Sequence, residues 1–346
     1  MNITSMPIRV AINGFGRIGR TAFKAGFGNP DLEFVAVNDL TDPGTLAHLL
    51  KYDSVFRKFD HDITVDGSDL MINGKRLKVV AEKEPSALPW KDLNIDVVLE
   101  CTGRFTTPEG AGQHITAGAK RVIVSAPVKG GEVPTYVLGV NGTSYKGEPI
   151  INNASCTTNC ISPVAGVIHA KFGVAKALMT TIHAVTAEQN LVDGPPPGQK
   201  SGDLRRARAA YSNMVPTTTG AAIATTETIP ELKGLFDGLA IRVPICDVSL
   251  TDFVFLLKTK TTVEELNKVL TEASEHPFWK GILGVTNEPL VSSDFIGSTY
   301  SCVVDLSLTK IVDGDLVKII AWYDNEWGYS HRLVEMAVTV GKTLSS

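Results

Sequence analysis

Over its first half, the chain alternates short apolar runs with longer amphipathic stretches. Residues 8–13, 33–38, 96–101, 121–125 and 136–141 read as strands, several of them apolar enough to be buried on both faces. Between them, Ala22, Phe23 and Ala25 continue a helical pattern, and 43–50 and 108–117 read as helices. Residues 70–80 read as a β-hairpin about the Asn73-Gly74 turn, inserted into the alternating unit. Strands alternating with helices predict an α/β fold with a doubly wound parallel sheet, whose ligands bind beyond the carboxyl ends of its strands.

The second half has a different rhythm. After Cys156, apolar residues recur at helical spacing (Ile161, Val164, Ile168), with Pro163 inside the pattern. Residues 177–186, 245–257, 299–305 and 316–323 read as strands. Thr262 and Glu265 form a capping-box pattern that opens a helix running to about Ser274. Residues 324–330 read as a polar-aromatic turn, and 331–342 as a closing helix. This half predicts a mixed α+β domain with a mostly antiparallel sheet.

Composition narrows the classes. A length of 346 residues suits two domains, and 43% hydrophobic with 20% charged residues allows a sizeable core. A net charge of −4 without long single-sign runs argues against nucleic acid or an anionic membrane as the main partner. No apolar run is long enough to span a bilayer, and residues 1–7 lack a signal-peptide core. Five scattered cysteines, an odd number, fit reduced thiols better than a disulfide framework. Together these features predict a cytoplasmic protein.

Candidate chemistry is concentrated in a few places. Gly14-Phe15-Gly16-Arg17-Ile18-Gly19 lies between a strand and a helix, the context in which such glycines cradle a pyrophosphate. Asp39 ends the next strand twenty residues after Gly19, where a carboxylate accepts from ribose hydroxyls and repels a 2′-phosphate. That spacing favours NAD over NADP; the alternative role for Asp39 is capping the following helix. Thr102, Gly103 and Ser125 stand at strand ends, as cofactor contacts or as ordinary loop punctuation. Cys156 follows Ser155 and precedes Thr157 at a predicted helix start, where free N–H groups lower a thiol pKa; the alternative is a small buried residue. His183, in an apolar strand, is either its base or a satisfied core imidazole. Cys156 and Cys160 lack a matching second ligand pair, so no metal is expected. Residues 203–209 carry three arginines, including Arg206, which suit either an anion or a solvated face. Thr217, Thr218, Thr219 and Gly220 form a phosphate-type cluster, and Arg242 is a strand cation that needs an anionic partner or a salt bridge.

The glycine motif, Ser155-Cys156-Thr157-Thr158-Asn159-Cys160, Asp203-Leu204-Arg205-Arg206-Ala207-Arg208-Ala209-Ala210 and Trp322-Tyr323-Asp324-Asn325-Glu326-Trp327-Gly328-Tyr329-Ser330 resemble, in order, the phosphorylating glyceraldehyde-3-phosphate dehydrogenase family. The resemblance runs from about Ile8 to the C-terminus. It implies an NAD-binding Rossmann domain over 1–155, a catalytic domain over 156–324, and a C-terminal helix over 325–346 returning to the first. It also implies a homotetramer acting on glyceraldehyde 3-phosphate and inorganic phosphate through a cysteine thiohemiacetal and thioester, with a place in glycolysis and gluconeogenesis.

Carried over by position, Cys156 is the nucleophile and His183 its base. Ser155, Thr157, Arg206, Thr219 and Gly220 hold the attacking phosphate, and Thr186 and Arg242 the substrate phosphate. Gly14, Gly16, Arg17, Ile18, Gly19, Asp39, Lys83, Thr102, Gly103, Ser125, Asn325 and Tyr329 contact the cofactor. Three features depart from the family: a lengthened 187–202 loop with Pro195-Pro196-Pro197, Ile223 where a lysine is common, and Lys83 where an arginine often lines the adenine site. The rival readings are an erythrose-4-phosphate dehydrogenase and a non-catalytic NAD- or RNA-binding scaffold.

Overall fold

The computed structural model describes residues 6–195 and 203–344; of the lengthened loop, residues 196–202 lie outside the described residues, as do residues 1–5 of the N-terminal stretch. The chain forms two compact units. One comprises residues up to 136, 142–154 and those from 330 onward; the other comprises 137–141 and 155–329.

The first unit opens with β1 (Ile8–Asn13), α1 (Arg17–Gly26), β2 (Leu32–Asn38) and α2 (Pro43–Lys51). A two-stranded ribbon follows, β3 (Tyr52–Asp53) with β4 (Arg57–Lys58). Next come β5 (Ile63–Asp66), β6 (Asp69–Ile72) and β7 (Lys75–Val80), then β8 (Val97–Glu100), α3 (Pro108–Thr116), β9 (Arg121–Val124) and β10 (Ile150–Asn152). One eight-stranded sheet runs β10-β9-β8-β1-β2-β7-β6-β5. Its pairs from β10 to β7 are parallel, while β6 and β5 are added antiparallel. The expected hairpin is there: Asn73 and Gly74 both take positive φ between β6 and β7, as a tight turn with the right twist requires. Trp90, Val98, Val122 and Val124 fill the core on one side. Phe23 of α1 packs against Phe15, Phe27 and Phe34, the last with ring centroids 5.1 Å apart.

In the second unit, α4 (Cys156–Phe172) precedes β11 (Val174–Ala184), β12 (Val215–Thr217), α5 (Ala221–Thr228), β13 (Phe236–Val243) and β14 (Ser249–Leu257). After these come α6 (Val263–Glu275), β15 (Leu283–Thr286), β16 (Cys302–Asp305), β17 (Lys310–Val312), β18 (Leu316–Tyr323) and α7 (Trp327–Lys342). The sheet order is β12-β13-β11-β14-β18-β16-β15, with β17 also on β18. Only β11–β13 and β15–β16 are parallel, so the sheet is mostly antiparallel as expected. Residues of α4 (Ile161, Val164, Ile168) and α6 (Leu266, Leu270) pack with Phe253, Phe255 and Ile319 in one core. From Ser330 on, α7 belongs to the first unit: Ser330 Oγ lies 2.7 Å from Thr21 Oγ1, and Lys342 pairs with Asp31 at 2.7 Å.

Several expected boundaries move. Residues 136–141 are not a strand. The Val137 amide donates to Asn141 Oδ1, the Val140 amide to the Val137 carbonyl, and Gly139 takes φ +79°, which folds the segment into turns. The strand expected over 245–257 begins, as β14, only at Ser249, because Val248 takes φ +67°. Helix α7 starts at Trp327 rather than 331: Asp324 Oδ1 accepts from the Glu326 and Trp327 amides and caps it early. At α6, Thr262 caps the Glu265 amide, but Glu265 accepts from the Thr261 hydroxyl instead of returning to the cap. Among the described residues, no helix is long and apolar enough to cross a membrane.

The strand that carries His183, β11, is tightly seated. A Cβ on Gly238 of β13 would lie 2.4 Å from the Met179 carbonyl oxygen of β11. Gly238→Ala should therefore push the two strands apart and cost about 1–3 kcal/mol in denaturant unfolding; a variant of unchanged stability would show that the contact can relax.

Candidate active site and nucleotide crevice

In the first unit, the strand-to-helix turn after β1 has the geometry of a phosphate cradle. Gly14 takes φ +89°, and a Cβ there would lie 2.8 Å from the Thr102 backbone nitrogen. A Cβ on Gly19 would lie 2.1 Å from the Gly14 carbonyl oxygen, so helix and loop meet only through glycine. Among the described residues, a Cβ on Gly16, the N-cap of α1, would meet nothing within 4 Å. Open space at a helix N-terminus fits an incoming pyrophosphate. The turn borders a crevice of about 680 Å³ lined in part by Gly14, Gly16, Asp39, Lys83 and Thr102.

Asp39 does not cap α2; Asp42 does, accepting from the Thr45 amide at 2.9 Å. The Asp39 carboxylate instead accepts from the Phe15 amide at 2.8 Å and the Thr41 amide at 3.0 Å, which fixes it beside the glycine turn. Arg17 and Ile18 lie in the first turn of α1, and the Arg17 guanidinium pairs with the buried Asp53 at 2.7 Å. Its backbone is thus the part placed at the helix N-terminus. Thr102 and Gly103 follow β8, and Ser125 follows β9, at the carboxyl ends of the sheet.

In the second unit, Ser155 caps α4 by accepting from the Thr158 amide, and Cys156 is the first helical residue. The Cys156 sulfur lies 3.5 Å from His183 Nε2. His183 sits at the end of β11, directly opposite Arg242 in the parallel register with β13. His183 Nδ1 lies 2.7 Å from both the Ala184 carbonyl oxygen and Arg242 Nη1. It can donate to the first or accept from the second, and that choice decides whether Nε2 offers the sulfur a lone pair or a proton.

Burial, reinforced by the Arg242 charge, lowers the His183 pKa to about 3, so the imidazole is neutral at pH 7. The expected lowering of the Cys156 thiol is not what the ligand-free protein shows. Burial raises it, outweighing the Arg242 charge, the Thr157 hydroxyl and the helix's first N–H groups, which pull the other way. The sequence shows a cap and a helix start, but not the burial of the groups around them.

The phosphate-type residues fall into two groups. Arg206 turns inward, donating to Thr217 Oγ1 at 2.8 Å and to the Thr218 carbonyl at 3.2 Å, and it pairs with Glu188 at 2.8 Å. Arg208 instead pairs with exposed Asp193. Thr219 and Gly220 stand at the start of α5, where the Thr219 hydroxyl accepts from the Ala221 amide at 3.2 Å. Thr186 follows β11, and its hydroxyl is buried without a hydrogen-bond partner among the described residues, an orphan acceptor and donor of the kind a ligand satisfies. Asn325 and Tyr329 are buried in this unit, and Asn325 Oδ1 accepts from Ser249 Oγ at 2.7 Å.

Several residues of the site escaped the sequence reading. The Tyr323 hydroxyl lies 2.9 Å from Thr157 Oγ1 and 2.7 Å from Thr181 Oγ1, and its ring meets His183 edge-on at 6.0 Å between centroids. Thr181 is two residues before His183 and so shares its face of β11, a signal the alternation contained. Nothing in the sequence pairs Tyr323 with Thr157. Ser249 Oγ accepts from the Ala184 amide at 3.1 Å, tying the end of the histidine strand to Asn325. Among the described residues, no cluster of His, Cys, Asp or Glu could hold a metal ion, and all five cysteines are free.

A buried neutral imidazole carries a pH signature. The unfolded chain takes up a proton near pH 6.5 while native His183 does not until about pH 3, so its contribution to stability falls as pH drops between those values. His183→Asn should therefore lose less stability than the parent between pH 6 and pH 4, by about 2 kcal/mol in paired denaturant titrations. Parallel curves would place a charged imidazole in the native state.

The chain matches two family models: "Glyceraldehyde 3-phosphate dehydrogenase, NAD binding domain" over residues 8–108 and "Glyceraldehyde 3-phosphate dehydrogenase, C-terminal domain" over residues 155–325. It is 51% identical over 337 residues to the glyceraldehyde-3-phosphate dehydrogenase of Geobacillus stearothermophilus, covering 97% of this chain and 98% of the relative. Glyceraldehyde-3-phosphate dehydrogenase 1 of Bacillus subtilis is 48% identical over 339 residues, covering 97% and 99%. A chloroplastic glyceraldehyde-3-phosphate dehydrogenase of Arabidopsis thaliana is 50% identical over 339 residues, covering 97% and 84%. With both halves matched and half the positions shared over nearly its whole length, the chain belongs to the glyceraldehyde-3-phosphate dehydrogenase family, NAD-dependent oxidoreductases with a Rossmann domain and a mostly antiparallel catalytic domain.

Proposed function

We propose that this chain oxidises glyceraldehyde 3-phosphate, with NAD and inorganic phosphate, to 1,3-bisphosphoglycerate, and that its two units serve as cofactor-binding and catalytic domains. The observation that carries the reading is the Cys156 sulfur at the first turn of α4, 3.5 Å from a neutral His183 Nε2.

The residues supply each proton step. With Nδ1–H donating to the Ala184 carbonyl, His183 Nε2 takes the thiol proton as the sulfur adds to the aldehyde carbon. The proton then goes to the new hydroxyl, giving a thiohemiacetal on Cys156. His183 removes that hydroxyl proton again as the carbon is oxidised to a thioester. Bound NAD supplies the hydride acceptor for this oxidation. An oxygen of inorganic phosphate then attacks the thioester carbonyl, the C–S bond breaks, and the thiolate leaves as the acyl phosphate forms. Arg242 and Thr186, whose hydroxyl is buried and unpartnered, are assigned to the substrate phosphate. Ser155, Thr157, Arg206, Thr219 and Gly220 are assigned to the attacking phosphate, where the positive end of α5 favours an anion. Gly14, Gly16, Arg17, Ile18, Gly19, Asp39, Lys83, Thr102, Gly103 and Ser125 are assigned to NAD, with Asn325 and Tyr329 at its nicotinamide end. Ser249 accounts for one face of the Asn325 amide and leaves its NH₂ for the cofactor carboxamide. The cytoplasm is the compartment this reading implies.

Two measurements test the proposal. NADH formation from glyceraldehyde 3-phosphate should require phosphate or arsenate, and Cys156→Ser should abolish it while still binding NAD. Oxidation indifferent to phosphate would favour the erythrose-4-phosphate dehydrogenase reading, and full turnover by the serine variant would exclude the assigned nucleophile. The homotetramer expected of the family would cover the apolar sheet face and its neighbours at Leu178, Leu239, Leu256 and Ile223, which are 64%, 45%, 37% and 64% exposed in the single chain. Light scattering should give four times the 37.1 kDa chain mass, and Leu178→Glu should lower it; a monomeric parent protein would remove this part of the reading.

A further inference from the structure

We propose that Glu100 is a positioning residue for the nucleotide crevice: its buried negative charge orients a chain of side-chain amides that fixes both rims. The proposal rests on the reading that this crevice takes NAD.

Glu100 ends β8 and is 1% exposed. Four donors converge on its carboxylate. Asn13 Nδ2 lies 2.5 Å and His114 Nε2 3.0 Å from Oε2; the Thr102 amide, at 2.8 Å, and the Thr102 hydroxyl both donate to Oε1. Indole N–H is a donor only, so Trp90 Nε1, 3.0 Å from His114 Nδ1, holds that nitrogen unprotonated. His114 is therefore neutral, with its one proton on Nε2 toward Glu100. Among the described residues, the one ionisable side chain against this carboxylate is the neutral His114, so dipoles alone hold the charge. Four donors and no acceptor leave no place for a carboxylic hydrogen, and the group is ionised.

That charge has a direction. Because Asn13 turns its NH₂ to Glu100, its Oδ1 faces Asn38 Nδ2 at 2.6 Å. Asn38 in turn donates to the Glu82 carbonyl at 2.9 Å and accepts from the Glu82 amide at 2.8 Å. Glu82 Oε1 then accepts from the Lys83 amide at 2.7 Å and the Glu84 amide at 3.1 Å, and these three residues line one rim. On the other rim, Thr102 Oγ1, with its hydrogen committed to Glu100, accepts from the Arg104 amide at 3.0 Å. The carboxyl ends of β8, β1 and β2 are thus wired in one sense from a single charge. A neutral amide at position 100 would set N–H against N–H somewhere along this chain, and each unmatched buried donor is costly.

The test uses the full chain and calorimetric titration with NAD and, separately, ADP-ribose. Glu100→Gln should weaken both ligands by the same factor, about tenfold or more, while the alkylation rate of Cys156 by iodoacetamide without nucleotide stays unchanged. Adding Asn13→Asp moves the charge one step along the chain, gives the glutamine NH₂ an acceptor and keeps Asn38 in its orientation. This double variant should recover most of the affinity. Parent-like binding by Glu100→Gln overturns the proposal, as does a double variant no tighter than the single. If the single variant does not fold, the double variant decides: regained fold and binding support the charge-orientation account, and their absence overturns it. Gly16→Val, filling the open space above the turn, is the control for the parent reading. If it binds NAD normally, the crevice is not the nucleotide site, and that reading fails rather than the role of Glu100 within it.

Discussion

A buried polar side chain at the end of a strand must be matched donor for acceptor, and both units are organised by that constraint. Each failure costs about 1–3 kcal/mol, a large share of a typical net stability. In the first unit, Glu100, Asn13 and Asn38 end three adjacent strands and satisfy one another in a single sense. In the second, Ala184 donates to Ser249, and Ser249 to Asn325. Tyr323 lies between the hydroxyls of Thr157 and Thr181. The apolar cores decide that sheets and helices form. The polar matching at strand ends decides where individual functional atoms stand.

The same arrangement sets the resting charge state of Cys156 and His183. Desolvation keeps the proton on the Cys156 sulfur and off His183. Arg242 acts on both in the same sense, favouring thiolate and disfavouring imidazolium. The pair is therefore a neutral thiol beside a neutral base, held at 3.5 Å by two rigid elements rather than by mutual charge. What the fold contributes is proximity and orientation, which alone can lower a barrier by several kcal/mol.

How much of this the sequence disclosed follows from the range of each interaction. The glycine turn was legible because its three glycines answer to constraints within a few residues: a positive φ, an open approach and a close packing. The cap at Ser155 and the helix after it were legible for the same reason. Residues 136–141 were misread because their apolar run fits a strand, and only Asn141 closing back on Val137 makes it a turn. Helix α7 was begun too late because Asp324 could not be recognised as its cap among so many polar neighbours. Glu100 looked like the end of a buried strand, and Tyr323 like one more apolar ring. Their partners lie 87 and 166 residues away, beyond any local pattern.

The two units also differ in how firmly their polar groups are held without ligand. Around the crevice, the partners are backbone amides and buried amide side chains. In the second unit, Arg206 shares its guanidinium between fixed and replaceable partners, the fixed ones being Thr217 and the Thr218 carbonyl. Arg206 pairs with Glu188, whose side chain is 68% exposed, and an ion pair of that kind contributes about 0–1 kcal/mol. A phosphate dianion offering bidentate acceptors displaces it at little cost. The polar groups along the crevice are thus held by buried or backbone partners, while the Arg206–Glu188 pair leaves a guanidinium open to exchange for another anion.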